Sequence, residues 1–194
     1  MRWSVWMSRR LKRRWRISDL VGAVPPRQVH HLLPMFRSPP VQQPGSQALR
    51  RGRVSVVGQV YHVTSRSLPG ESPFNNFRAA SAACRAFLDV SKAGRGKLLA
   101  WVLMPDHAHW LVELEPDSSL SGFVAALKRR STSAICKSSR AEAGQTLWMD
   151  GFYDRAIRRE DDLVSVARYV VANPLRSRIV ARLGDYPFWD SVWL

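Results

Sequence analysis

Acidic residues and cysteines are both scarce in this chain. Fifteen Asp and Glu stand against 30 Lys and Arg, a formal net charge of +15 with a pI near 11.2. That imbalance points to a polyanionic partner, nucleic acid before a membrane surface. The two cysteines, Cys84 and Cys136, have neither CxxC spacing nor a second pair, which excludes a disulfide framework. Both fall in helical contexts as small buried hydrophobes, in keeping with a reducing cytoplasm. No apolar run reaches about 18 residues, so no transmembrane helix is expected. The charged start is not followed by the apolar segment and small-residue cleavage site of a secretory signal.

The charge that is present is unevenly spread. Residues 1–53 carry twelve Lys and Arg against one acid, Asp19, a net of +11 that leaves +4 for the rest. A basic cluster from Arg9 to Arg16 is interleaved with Trp3, Trp6 and Trp15. The prolines Pro25, Pro26, Pro34, Pro39, Pro40 and Pro44 then break any long helix or strand. Residues 1–53 are therefore expected to be a disordered extension, either a nonspecific DNA-binding arm or a segment without function upstream of a later translation start. Residues 54–194 are long enough for one domain with a core.

From Val54 the pattern changes. Val54 to Arg66 is β-branched and alternating, a strand. Asn75 or Asn76 caps a helix running through Phe77, Ala80, Cys84, Phe87 and Leu88. Gly94-Arg95-Gly96 turns the chain into a hairpin of Lys97–Met104 and His107–Leu114 about Pro105-Asp106. Ser121–Ser138 forms a helix, Gly144–Tyr153 a loop and short strand continued by Arg155–Arg158. Asp161 or Asp162 starts a last helix that stops at Asn173, before Pro174. The aromatic tail, with Tyr186, Phe188, Trp189 and Trp193, is expected to pack back on the core. The order β, α, β, β, α, β, α predicts an α+β fold with an antiparallel sheet and packed helices.

His107-Ala108-His109 is the most informative stretch. Side chains alternate along a strand, so both imidazoles leave the same face. Paired that way they suit a divalent metal. For an isolated His-x-His, surface or partly satisfied histidines are the alternative. Tyr169 and Asn173, four apart on the last helix, project from one face. If that face docks beside His107 and His109, a phenol sits near a cation completed by the Asn oxygen. A tyrosine beside a hard cation is a nucleophile for a phosphodiester.

Five segments, in this order, resemble the single-tyrosine HUH transposases (the IS200-like transposases), and most of all their REP-associated tyrosine transposase branch. They are Tyr61–Arg66, Val102–His109, Leu147–Trp148 with Phe152–Asp154, Ile157–Arg158, and Arg168–Leu175. The resemblance covers roughly Val54 to Leu194. It implies a ferredoxin-like core with the histidines on a central strand and the nucleophile on a C-terminal helix. It further implies His107 and His109 as metal ligands, Tyr169 as nucleophile, Asn173 as third ligand where insertion-sequence members tend to have Gln, and Mg²⁺ or Mn²⁺ as cofactor. The implied partner is single-stranded or hairpin DNA, such as REP-type palindromes, in the cytoplasm at the nucleoid, with the protein a monomer or a homodimer and not at a membrane.

Other residues admit two readings. Arg66 and Arg158 are candidates for phosphate contacts, because a guanidinium offers a rigid donor fork, or are solvated surface residues. Lys128, Arg129 and Arg130 form a basic helix face that follows a DNA backbone or is simply solvated. His62 either faces the metal site or is a packed strand histidine. Tyr61 and Tyr153 read as structural, and Trp148 as core rather than a base-stacking platform. Two rival functions stay open: a structured-DNA or RNA-binding regulator, and a metal-dependent hydrolase with a water nucleophile. The hydrolase needs a carboxylate near the histidines, for which Asp106 and Glu113 are the nearest in sequence.

Overall fold

The first strand, β1, runs Val60–Arg66, and Gly58 turns the chain with a φ of +71° just before it, while Val54, Ser55 and Val57 of the expected strand lie outside the described residues. The computed structural model describes residues 56, 58–139, 145–158 and 162–194. The basic head expected at residues 1–53 lies outside the described residues. Asn76 caps α1 (Phe77–Lys92), its side-chain oxygen accepting from the Ala79 amide at 3.1 Å. Gly94, at a φ of +80°, turns the chain into β2 (Gly96–Leu103), and β3 (His107–Leu114) returns beside it. Then follow α2 (Leu120–Ser139), β4 (Tyr153–Ala156), α3 (Leu163–Val171), the four-residue α4 (Asn173–Arg176) and β5 (Trp189–Ser191).

The strands form one five-stranded sheet in the order β4-β1-β3-β2-β5, every pairing antiparallel. Without β5 this is the split βαβ arrangement of a ferredoxin-like core, in which each helical crossover leaves room for a strand between the two it joins. The fifth strand is an element the sequence pattern does not predict. Tyr186, Phe188 and Trp189 of the tail pack back on the core as expected whereas Trp193 is exposed, and the tail pairs Trp189–Ser191 with Val102–Ala100 at the open edge of β2. Three residues are too few to show a period.

Each sheet face has its own helices. Trp110, alternating with the histidines on β3, points to the side covered by α1 and α2, and Phe87 meets it edge-on at 5.2 Å between ring centroids. On that side Gly96 permits close approach of α2, since a Cβ there would stand 3.1 Å from the Phe123 ring. On the other face Val60, Ala100 and Leu111 pack with Val166, Ala167 and Val171 of α3. Leu111 shares its face with His109 and His107. The helix α3 therefore lies on the histidine side of the sheet, with Leu175 of α4 packed against the same cluster.

Candidate active site

His107 opens β3 directly after the Pro105-Asp106 turn. Ser67 straps that turn, its amide and hydroxyl both donating to the Asp106 carbonyl at 2.8 and 2.9 Å. The two imidazoles stand nearly perpendicular, 4.9 Å between centroids. Each is held through Nδ1. His107 Nδ1 lies 2.6 Å from Asp106 Oδ1, and His109 Nδ1 lies 2.9 Å from Thr64 Oγ1, its cross-strand neighbour on β1. His62 stacks on His109, with Nε2 3.2 Å from the same Nδ1.

His109 is only 3% exposed, and its Nε2 is buried with no hydrogen-bond partner among the described residues. An unsatisfied buried polar atom costs about 1–3 kcal/mol. Imidazoles held through Nδ1 present Nε2 outward, which is how metal-binding histidines are oriented. Among the described residues no group of three His, Cys, Asp or Glu side chains is disposed to hold a metal. A cation here would thus need a ligand of another type beside the two imidazoles. The donor set fits one.

The electrostatics keep the His109 and His62 rings uncharged. Burial, then the nearby His62, His107, Arg176 and Arg66, hold His109 well below the ordinary histidine value. Burial, Arg155 and Arg176 pull His62 down to about 4. Neutral imidazoles keep the lone pair that a cation requires. The hydrogen bond with His107 holds the Asp106 carboxyl below its usual range, so it is ionised beside that ring.

Tyr169 reaches this face from α3. Asp162 caps the helix by accepting from the Val164 amide at 2.9 Å. Tyr169 is half-buried against the apolar cluster under the helix, with the Arg176 guanidinium carbon 4.0 Å from its ring centroid. Burial raises the phenol above its ordinary value, and Arg176 works against that rise. The expected single helix through Asn173 is two helices: α3 ends at Val171 and Asn173 opens α4. The break follows from Pro174, which is tolerated in a first helical turn and not in a helix interior. Asn173 is buried, and its amide nitrogen donates to the Val170 carbonyl at 2.7 Å.

Among the other candidates, Arg66 pairs with His107 across β1 and β3, and its charge is felt at His109 and Asp106. Arg158 is exposed just beyond β4. The helix carrying Lys128, Arg129 and Arg130 covers the opposite face, so these three are not brought together with the histidines. The Lys128 ammonium donates to the Met149 carbonyl at 2.8 Å and to that of Gly151, clamping a loop, whereas Arg129 and Arg130 are exposed. Trp148 is core, its indole donating to Ser131 Oγ at 3.0 Å between Phe74 and Trp110. Tyr61 is buried with its hydroxyl accepting from the Val56 amide. Glu113 sits at the far end of β3, 4.0 Å from Lys97.

Three residues that border the site escape sequence reasoning: Thr64, Arg155 and Arg176. For Thr64 the only signal is its alternation with His62 on β1. Arg176 follows Tyr169 by seven residues, but the bend before Pro174 conceals where it points.

Comparison with known proteins agrees with this architecture. The model of the family described as "Transposase IS200 like" matches residues 56–173. A REP-associated tyrosine transposase of Escherichia coli is 27% identical over 104 residues, which cover 53% of this chain and 59% of that one. A Haemophilus influenzae protein described in the same terms is 29% identical over 100 residues, 46% of this chain and 56% of that one. The match thus spans less than two thirds of either relative. A solved REP-associated tyrosine transposase bound to a REP hairpin superposes with a TM-score of 0.59 at 24% identity, over 71% of this chain and 79% of that one, a likeness of fold. With the family model matching well over half of its length, the chain belongs to the IS200-like transposase family.

Proposed function

We propose that the protein nicks and rejoins single-stranded, hairpin-bearing DNA through a covalent link to Tyr169. The observation that carries this reading is one sheet face holding two imidazoles tethered through Nδ1, with a tyrosine under a guanidinium on α3, the helix whose apolar side packs on that face. His107 and His109 would hold Mg²⁺ or Mn²⁺ through Nε2, with the Asn173 side-chain oxygen as third ligand, since the amide nitrogen is already committed to Val170. Such an ion polarises the scissile phosphate and offsets charge building on its oxygens.

The residues of the chain divide the remaining work. Tyr169 loses its phenolic proton and bonds to phosphorus. The bond to the 3′ oxygen breaks, and that oxygen leaves with a proton as a free 3′-OH. The resulting 5′-phosphotyrosine conserves a phosphodiester bond for rejoining. Asp106 and Thr64 keep the imidazoles oriented, and Arg66 lies where an incoming phosphate would be met. REP-type hairpins are the proposed substrate class, from the relatives' names and the bound hairpin of the structural neighbour. A water-activating hydrolase is less well supported, because Asp106 is engaged with His107 and Glu113 lies beside Lys97.

The test is a cleavage assay on a labelled hairpin-bearing strand from the gene's own flanks, with Mg²⁺ or Mn²⁺, beside Tyr169→Phe. A metal-dependent covalent protein–DNA band that is lost in the variant is expected. Tight binding without an adduct on several flanking hairpins would favour the regulator instead.

A further inference from the structure

The histidine face carries one group that neither the motifs nor the metal reading uses. Arg176 ends α4 with its guanidinium stacked 4.0 Å from the Tyr169 ring centroid, although the two residues belong to different helices. The bend that joins those helices is tightly built. The Arg176 amide donates to the Ala172 carbonyl at 3.1 Å, the Ser177 amide to the Asn173 carbonyl at 2.9 Å, and the Asn173 side chain to the Val170 carbonyl. Pro174 removes further freedom from the same turn. The base of the arginine is thereby fixed relative to the tyrosine.

The stacking is of a kind that orients an aromatic ring, because a planar cation binds the negative π-face. Arg176 itself is exposed, and among the described residues no carboxylate pairs with it. Its charge also reaches His62 and His109, so it borders the histidine pocket as well as the phenol.

We propose that Arg176 is a positioning residue for strand transfer. Its guanidinium pins the Tyr169 ring from one face and holds a fixed positive charge where the phosphodiester enters. This rests on the reading of Tyr169 as the nucleophile. The same contact keeps a positive charge beside the phenol, where a DNA phosphate would serve as its anionic partner. A stacked tyrosine attacks from a preset direction, and a misaligned nucleophile loses rate rather than affinity.

The test uses the full chain and a hairpin-bearing single strand, with Arg176→Lys, Arg176→Ala and Tyr169→Phe beside the parent. Three quantities are read: the single-turnover rate of adduct formation at saturating DNA, the hairpin Kd, and the melting temperature. Arg176→Ala should form the adduct about tenfold to hundredfold more slowly, with Kd changed far less and melting unaltered. Added methylguanidinium should restore part of that rate, and Arg176→Lys should fall between the two. An Arg176→Ala protein that forms the adduct at the parent rate overturns the proposal and leaves Tyr169 as nucleophile. So does a loss of rate that tracks a lower melting temperature and resists methylguanidinium. A parent that binds the hairpin yet never forms a Tyr169-dependent adduct overturns the nucleophile, and the positioning role with it.

Discussion

Thr64 Oγ1 stands 2.9 Å from Nδ1 of His109, joined to it across the pairing of β1 with β3. The hydroxyl therefore determines which nitrogen of a buried imidazole faces the site. Replacing Thr64 with Val keeps the shape and removes the tether. We expect Thr64→Val to need about 10- to 100-fold more Mn²⁺ for half-maximal adduct formation. An unchanged Mn²⁺ dependence would show that the ring is oriented without Thr64.

Asp106 plays the corresponding part for His107, at 2.6 Å. Asp106→Ala should raise the metal requirement on the same scale, while Asp106→Asn, which keeps an oxygen near Nδ1, should recover much of it. Calorimetric titration with Mn²⁺ reads the difference directly. Equal affinities for the two variants would contradict the proposed tether.

Tyr186, in the core cluster on the α1 and α2 side of the sheet, gives a pH dependence of stability. Its hydroxyl donates to the Leu103 carbonyl at 2.6 Å, and burial pushes the phenol well above its ordinary value. A folded-state value raised above the unfolded one gives stability that is complete below about pH 10 and is lost as pH rises through the folded value. Tyr186→Phe should be less stable at neutral pH by about 1 kcal/mol, with the gap to the parent narrowing above about pH 10. Urea melts at pH 7 and pH 10.5 check both statements, and a gap that widens with pH would count against them.

Lys128 and Arg66 should behave oppositely. Lys128→Met removes two hydrogen bonds to the Met149–Gly151 loop and should lower stability by about 1–3 kcal/mol with little change in hairpin affinity. Arg66→Gln should weaken hairpin binding while leaving the melting temperature nearly unchanged. Fluorescence anisotropy and thermal melting on both variants separate the roles.

The basic head is open to a simple deletion. Removing residues 1–53, which carry twelve of the 30 Lys and Arg, should lower nonspecific DNA affinity and flatten its dependence on salt, because fewer phosphate counterions are released. Affinity and salt slope equal to those of the full chain would deny the head a DNA-binding role.

Much of this site was legible in the sequence because its periods are local. Alternation alone put His107 and His109 on one face of β3, and Pro174 alone announced a helix break near Asn173. Residue type narrowed the caps to Asn75 or Asn76 and to Asp161 or Asp162, and the structure uses Asn76 and Asp162. Lys128 shows the opposite case. Its charge read as a surface feature beside Arg129 and Arg130, yet the fold spends that ammonium on two carbonyls.

What the amino-acid order determined by itself was therefore the local geometry: which residues alternate, where helices begin, where proline ends them, and the excess positive charge. The tertiary structure decided which elements meet. The β1–β3 register brings Thr64 to His109 and Arg66 to His107, and a register is settled by burying apolar faces between segments far apart in the chain. The same burial put α2, with its basic residues, behind the sheet and α3, with Tyr169, in front of it. It also filled the open edge of β2 with three residues of the tail. Arg176 reaches the Tyr169 ring only because the chain bends between them, and no one-dimensional period encodes the direction of that bend.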